Sequence, residues 1–194
     1  FEFKDGLLKS KKKVNGKDYW FDEEGAMLSK FYLVNSGAGK KDFDMYYFGG
    51  SDDGSMKTGS QSIRDDAGDT FKFYFTTKGE NKGAGIIGNQ SGKLYYFGML
   101  IQAEDCRYQI ATITDKNKQE HSFIVNANGS IQHSYKTEYK EDGDVLIKTY
   151  DNTKTSFVTT KGAFENEIQG DYFVKSDLPN VKIDEHVKTT DVIK

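Results

Sequence analysis

The stretch MYYFGGSDDGSMKTG at residues 45–59 decides the fold of this 194-residue chain. Three adjacent aromatic residues, Tyr46, Tyr47 and Phe48, precede a segment rich in Gly and Asp, which is typical of a tight turn. Alternate side chains of a strand share a face, so Tyr46 and Phe48 point one way and Tyr47 points the other. The stretch therefore predicts a β-strand with one face for burial, followed by a turn.

The aromatic triplet recurs along the chain, and each full copy is followed by a Gly-containing turn. Two-residue turns of the type that closes β-hairpins precede two copies, at Asn15-Gly16 and Ser91-Gly92. A lone hairpin is marginal in water, so repeated hairpins are expected to stack and bury a shared aromatic seam. The four full copies lie at residues 19–21, 46–48, 73–75 and 95–97, and weaker copies lie at 1–3 and 121–123.

The composition favours an all-β chain. It contains 14 Phe and 12 Tyr against eight Leu, together with 20 Gly and one Pro, and aromatic residues fit pleated sheets well. We expect stacked β-hairpin repeats in a solenoid-like row over residues 1–135. Residues 136–194 are predicted to form an irregular β segment or cap with a polar C-terminal tail. From Lys175 onward, this tail is expected to be a linker or a frayed terminus.

Charge and cysteine content argue against several function classes. A net charge of −3 is unusual for a nucleic-acid binder. The one cysteine, Cys106, excludes an internal disulfide and a multi-cysteine metal site. No apolar run approaches the roughly 20 residues of a membrane-spanning helix. We therefore expect no nucleic-acid partner and no membrane span. Because the chain opens on Phe1 inside a weak triplet, we expect it to be a piece of a longer protein.

Catalytic and cofactor motifs are incomplete. The sequence GAGIIG at residues 83–88 has dinucleotide-loop spacing, but a Tyr-Tyr-Phe strand follows where such a site needs a helix. The three histidines lack zinc-site spacing, and His121 is predicted to be a partly buried structural residue. The acidic turns match no full calcium loop. We predict no enzyme, no cofactor and no metal site. Glycosidase chemistry needs only two carboxylates, so the 30 acidic residues leave that alternative open.

The repeated motif resembles the cell-wall-binding repeats of Gram-positive surface proteins. That superfamily includes choline-binding modules, glucan-binding repeats and the repeats that end large glucosylating toxins. The resemblance covers about residues 1–135, with matches at 15–31, 45–59 and 91–98. It implies a β-hairpin solenoid, secretion to the cell surface of a Gram-positive cell wall, and attachment to cell-wall polysaccharide or another glycan. The positions that carry Trp in a choline cage hold other residues here, so no choline site is predicted.

The predicted function is a non-catalytic surface attachment module that binds glycan as part of a larger exported protein. The middle ring of each triplet is expected to lie opposite the core face, where an aromatic ring can stack on a sugar. A repeat also lets several weak contacts act together on one polymer. The alternative is a structural spacer or protein-interaction stalk without its own ligand. The predicted glycan contacts are Trp20, Tyr47, Tyr74 and Tyr96.

Overall fold

The computed structural model describes residues 3–6, 8–35 and 43–183. These residues form 19 β-strands and no helix, so the all-β prediction is confirmed. A helix with the length and hydrophobicity needed to cross a bilayer is absent from the same residues. His186 and the first two residues of the weak triplet at 1–3 lie outside the described residues.

The chain divides into two compact units. Of the described residues, the first unit holds those up to Ile86 together with Phe97–Met99. The second unit holds Ile87–Tyr96 and the residues from Leu100 to Ile183. The sequence analysis places a boundary at residue 135, between the hairpin repeats and the irregular β segment. That boundary stays a prediction.

In the first unit, each of the first three triplets begins in the second strand of an antiparallel pair. A further strand, β1 (Phe3–Gly6), runs parallel to the first strand of the second pair. The three pairs are β2 (Leu8–Val14) with β3 (Lys17–Asp22), β4 (Phe31–Asn35) with β5 (Phe43–Tyr47), and β6 (Gly59–Arg64) with β7 (Thr70–Phe75).

Three two-residue turns have the geometry that their sequences predict. Both central residues of each turn have a positive φ, as a type I′ hairpin turn requires. Glycine adopts this conformation without steric cost, and Asn and Asp tolerate it better than most residues. The turns are Asn15-Gly16 (49° and 77°), Ser91-Gly92 (53° and 80°) and Asp142-Gly143 (50° and 88°).

The sequence also predicts a short second strand after each triplet and its turn, and one does follow the fourth triplet, at Met99–Leu100. In the first three copies this segment does not form a strand. It makes only single bridges, between Phe21 and Met27 in the first copy and between Phe75 and Gly85 in the third. The reason is that this segment divides its N–H groups between two copies. One N–H bonds within its own copy, where the middle triplet carbonyl accepts it. These bonds run from Leu28 to Trp20 (2.8 Å), from Lys57 to Tyr47 (2.8 Å) and from Ile86 to Tyr74 (3.2 Å).

The preceding N–H group in the same segment bonds to the copy before. The N–H of Met56 donates to the carbonyl of Asp18 at 2.9 Å, and the N–H of Gly85 donates to the carbonyl of Met45 at 2.8 Å. Both acceptors lie immediately before a triplet. The same backbone bond therefore joins the first copy to the second and the second copy to the third.

A methionine from one copy covers the turn glycine of the next. A Cβ atom on Gly54 would collide with Cε of Met27, and one on Gly83 would collide with Sδ of Met56. Both glycines also have positive φ angles, 66° and 90°. The Gly-x-Met spacing of the motif thus serves two contacts: its glycine receives the preceding methionine, and its methionine reaches the following glycine.

The aromatic rings follow the same order. The Trp20 ring lies 5.5 Å from Phe48 in the next copy, and the Tyr47 ring lies 6.3 Å from Phe75 in the copy after that. Phe48 and Phe75 are completely buried, and Tyr46 and Phe73 share their core face as the sequence predicted. The seam between copies is therefore built from the rings themselves.

Replacing Phe48 or Phe75 with alanine is expected to lower the free energy of unfolding by about 3–5 kcal/mol, because each change leaves a cavity in the seam. Urea denaturation followed by tyrosine fluorescence measures this loss. The matched control is Phe173→Ala, since Phe173 is 44% exposed and its removal is expected to cost less than about 1 kcal/mol. Equal losses for buried and exposed phenylalanines would contradict the seam.

In the second unit, β8 (Gly88–Gln90) and β9 (Lys93–Tyr96) form a hairpin that carries most of the fourth triplet. Next comes the short strand β10 (Met99–Leu100), whose Met99 belongs to the first unit and pairs with Phe73. The rest of the second unit contains a four-stranded sheet, a three-stranded sheet and a two-stranded sheet. Their strands are β11 (Tyr108–Thr114), β12 (Glu120–Asn126), β13 (Ile131–Gln132), β14 (Glu138–Glu141), β15 (Asp144–Thr149), β16 (Thr155–Phe157), β17 (Ile168–Gly170), β18 (Tyr172–Val174) and β19 (Val181–Ile183). The strand orders of the three sheets are β13-β12-β11-β19, β14-β15-β18 and β16-β17.

A largely aliphatic core holds the second unit together. Ile110, Ile124 and Ile147 pack with Phe157 and Leu178 in one buried cluster. Because Leu178 enters this core and β19 pairs in parallel with β11, the chain from residue 175 to 183 is part of the fold. The expectation of a linker or frayed end from Lys175 is therefore wrong for these residues.

Candidate functional site

The four predicted glycan-contacting rings do not share an open face. Trp20 is 6% exposed and Tyr96 is completely buried. Tyr47 and Tyr74 are half-buried. The prediction that all four rings lie opposite the core is therefore wrong for Trp20 and Tyr96. A ring must be exposed to contact a glycan, and of the four rings only Tyr47 and Tyr74 retain exposed area that a ligand could touch.

Packing explains why the face assignment fails in the first and fourth copies. The Trp20 ring lies 4.4 Å from the Tyr46 ring, and the Lys11 ammonium lies 3.9 Å from the Trp20 centroid. In the fourth copy, the strand that leads to Tyr96 is bonded within its own unit, where Leu94 bonds through its backbone to both Gly129 and Ile101. Side chains still alternate along these strands, but alternation does not predict exposure when both faces of a strand are covered.

An open depression lies elsewhere in the second unit, beside the β14–β15 hairpin. Its volume is about 450 Å³. Ammonium and carboxylate groups and the side chain of a tyrosine occur together on its walls, which gives it both charged groups and an aromatic ring. The lining residues are Lys136, Glu138, Lys148, Thr149, Tyr150, Asp151 and Lys154.

The β14–β15 hairpin and the chain just beyond its strands bring these side chains together. Lys148 lies directly opposite Glu138 in the antiparallel register, so the two side chains share a face. Tyr139 and Ile147, the next pair in the register, are buried on the other face of this sheet. Lys136 precedes β14 and Tyr150 follows β15, so loops carry these two residues to the depression.

Thr149 fixes the loop that carries Lys136. Its hydroxyl donates to the carbonyl of Ser134 at 2.6 Å and accepts the N–H of Thr137 at 3.1 Å. The N–H of Lys136 itself donates to the carbonyl of Tyr150 at 2.9 Å. Because Thr149 is completely buried, these bonds are shielded from water. Lys136 adopts a positive φ of 50°, which places it at the tight corner of the loop.

Thr155 does the same for the loop that carries Lys154. Its hydroxyl accepts the N–H of Tyr150 at 2.8 Å and donates to the carbonyl of Asp171 at 2.6 Å. This side chain is also completely buried. A hydroxyl supplies one donor and can accept as well, so both loops are positioned by a fully used threonine.

The carboxylates of the depression are already engaged by neighbours. Glu138 lies 2.9 Å from the ammonium of Lys140 and 3.4 Å from that of Lys148. The hydrogen bond from Lys140 is the main reason why the pKa of Glu138 is lowered. Asp151 accepts the hydroxyl and the N–H of Thr153, and these bonds lower the pKa of Asp151.

Two lysines of the depression remain without an ion pair. Within the part of the chain that the structure describes, no carboxylate oxygen lies within 4.0 Å of the ammonium of Lys136 or Lys154. The Lys154 ammonium lies 5.6 Å from the centre of the Tyr150 ring. The depression thus presents two unpaired cations beside an aromatic ring.

A second cluster in this unit surrounds His121. Its Nδ1 lies 2.9 Å from Oε2 of Glu167, and its Nε2 lies 3.1 Å from Oδ2 of Asp115. The imidazole also stacks on the Phe164 ring, with centroids 3.6 Å apart and planes 2° from parallel. All three ionisable residues are buried, as the sequence predicted for His121.

The geometry favours a protonated His121. Ionised carboxylates only accept hydrogen bonds, so both ring nitrogens must carry a proton to bond with both carboxylates. Burial alone lowers the pKa of His121, but hydrogen bonds to Glu167 and Asp115 outweigh it, and the pKa is raised. Burial alone raises the pKa of Asp115, but bonds from Gln119, His121 and Asn117 outweigh it, and the pKa is lowered.

The His121 cluster is suited to stability rather than to catalysis. Both ring nitrogens are occupied by carboxylates, so neither can accept a proton from a nucleophile as the base of a catalytic triad does. Among the described residues, no group of three His, Cys, Asp or Glu side chains is arranged to hold a metal ion. Burial also raises the pKa of the Cys106 thiol, which disfavours the reactive thiolate.

Sequence reasoning missed both clusters for different reasons. The pairing of Glu138 with Lys148 was a usable signal, since the turn at Asp142-Gly143 identifies the hairpin between them. The partners of His121 gave no such signal, because Glu167 lies 46 residues away.

Comparisons with known proteins do not identify the chain. No protein-family model matches it, and no match was found among curated proteins. The resemblance to cell-wall-binding repeats therefore stays a prediction.

The stability of the protein is expected to fall as pH rises above neutrality. His121 has a folded pKa above its unfolded value near 6.5. Its contribution is therefore fully present below pH 6.5 and is lost as pH rises through the folded pKa. Asp115 shows the opposite dependence, because its contribution is lost as pH falls through a folded pKa below 3.8. Between the unfolded and the folded pKa of His121, the free energy of unfolding falls by about 1.4 kcal/mol per pH unit.

Urea denaturation at pH 6, 7, 8 and 9 measures this dependence. His121→Gln is expected to lower the free energy of unfolding at pH 6 by about 3 kcal/mol, because a buried ion pair loses its cation. It should also flatten the alkaline slope. The control is His133→Gln, since His133 is exposed. An unchanged slope in His121→Gln would show that this cluster does not produce the dependence.

Proposed function

We propose that the chain is a non-catalytic attachment module that binds a glycan polymer as part of a larger exported protein. In this proposal the first unit is a solenoid-like row of stacked hairpins, and the parent protein acts at the cell surface of a Gram-positive bacterium. Several rings and polar groups, each of which makes a weak contact, together bind the polymer.

The observation that carries the proposal is the repetition of contacts between successive copies. The same backbone bond, methionine–glycine contact and ring contact join the first copy to the second and the second to the third. These contacts use the Gly-x-Met and aromatic positions on which the resemblance to cell-wall-binding repeats rests. Stacked repeats extend a surface, and extended surfaces suit polymers.

Tyr47 and Tyr74 are the proposed ring contacts with glycan. Both are half-buried, so each is held in place while part of its ring remains accessible. The Tyr47 phenol is protonated at neutral pH and can donate a hydrogen bond, and burial raises its pKa further. Trp20 and Tyr96 are left out of the proposal because they are buried.

One observation favours the alternative, a spacer without its own ligand. The middle rings Trp20 and Tyr47 both pack against the third ring of the next copy. Rings used in this way stabilise the row whether or not a glycan is present. The spacer reading therefore explains the aromatic triplets without any ligand.

Retention of the protein on insoluble polymers distinguishes the two functions. We expect the wild-type chain to sediment with insoluble cell wall, insoluble glucan or mucin. The double variant Tyr47→Ala/Tyr74→Ala is expected to bind about tenfold more weakly, because each lost ring contact is worth about 0.5–1.5 kcal/mol.

The matched control is Tyr19→Ala/Tyr108→Ala, which removes two other half-buried tyrosines. Thermal melts of both double variants establish that they are folded. Absence of wild-type retention on every polymer would support the spacer. Equal retention of the two double variants would exclude Tyr47 and Tyr74 as the contacts.

A further inference from the structure

We propose that the depression formed by Lys136, Tyr150 and Lys154 binds an acidic group of a glycan, either a phosphate or a carboxylate. The inference rests on the proposed glycan-binding function and adds to it a site and a ligand chemistry. Neither was predicted from the sequence, which pointed to uncharged contacts on the repeats.

The charge balance of the depression favours an anion. Three ammonium groups line it against two carboxylates, whereas the whole chain carries a net charge of −3. Glu138 is neutralised by Lys140 and Lys148. Asp151 accepts hydrogen bonds from Thr153, and the charges of Lys136 and Lys154 also lower the pKa of Asp151. An anion that enters the depression would therefore compete only with Asp151 for two ammonium groups that form no ion pair with a described carboxylate within 4.0 Å.

The loops that carry these two lysines are held in place before any ligand binds. The completely buried hydroxyls of Thr149 and Thr155 bond to backbone groups of the loops from which Lys136 and Lys154 project. Preorganised loops lower the entropy that a ligand must overcome on binding.

The size and the aromatic wall of the depression favour a sugar ring over an isolated ion. A volume of about 450 Å³ lies in the range typical of small-molecule sites, roughly 300–1,000 Å³. The Tyr150 ring offers an apolar surface for the face of a sugar. Phe173 is 44% exposed and lies opposite Lys148 on the adjacent strand, so it extends this surface.

Nucleic acid is a less suitable occupant. Phosphate-backbone binding relies on a stripe of basic groups along the polymer. Here the basic groups are confined to one depression, and Glu138 and Asp151 interrupt them. A glycan with occasional acidic groups requires only such local sites.

The test measures binding of the full chain to three soluble polymers by affinity electrophoresis. Polygalacturonate supplies carboxylates, polyglycerol phosphate supplies phosphodiesters, and dextran supplies neither. We expect the wild type to bind at least one of the two anionic polymers more tightly than dextran, with an affinity that falls as NaCl rises from 50 to 500 mM. The preferred polymer identifies the acidic group.

The deciding variant is Lys136→Gln/Lys154→Gln, which is expected to bind that polymer about tenfold more weakly, since charge-assisted hydrogen bonds are lost. The control is Lys78→Gln/Lys161→Gln, which removes two exposed lysines outside the depression and changes the net charge equally. It should bind like the wild type. Matching thermal melts of both variants show that the fold is retained.

Several outcomes would overturn the inference. Equal losses in both double variants would mean that the overall charge, and no defined site, attracts the polymer. Equally tight binding of single-stranded DNA would point to general polyanion binding. Retention on insoluble glycan without preference for either anionic polymer would reject the acidic site and leave the attachment function standing. Binding to no glycan at all would reject both proposals.

Discussion

The close approach of successive copies is the constraint on which the first unit depends. A chain with few leucines needs its aromatic rings for a core, and rings on separate hairpins make contact only if the hairpins lie close together. A backbone bond between copies, such as that from Met56 to Asp18, holds them at that distance. The turn glycines leave room for the methionine of the preceding copy, and Phe48 and Phe75 are completely buried in the seam.

Local rules explain how far the sequence predicts the structure of the repeats. The triplets, the type I′ turns and the buried face of the second and third copies follow from local rules, because alternation and turn chemistry act over a few residues. The failure at Trp20 and Tyr96 has a different origin. Whether a middle ring is exposed depends on what covers the second face of its strand, and that neighbour comes from a distant part of the chain. Tyr46 covers Trp20, for example, from 26 residues away.

The second unit shows the limits of local pattern more clearly. Its aliphatic core and its strands could be anticipated from alternating sequence. The polar groups that fix its loops could not, since Thr149 and Thr155 look like ordinary strand residues until their bonds to Ser134 and Asp171 are known. His121 is a similar case. Its sequence context indicated partial burial, but the charge of its imidazole depends on Asp115 and Glu167 together, and only the fold brings the second carboxylate to the ring.

These differences bear on where a ligand can bind. In the repeats, the rings that would stack on a sugar are largely used to join one copy to the next, so a contact that binds glycan competes with a contact that stabilises the fold. In the depression of the second unit, the groups that would bind are separate from the groups that hold the structure. The buried threonine hydroxyls fix the loops, and the exposed ammonium groups of Lys136 and Lys154 have no structural bond to give up. A site of this kind can change its ligand without loss of stability, whereas substitution of a seam ring affects both. Under the proposed glycan-binding function, the second unit is therefore the better place for specificity, and the repeats are better suited to supplying length and additional weak contacts.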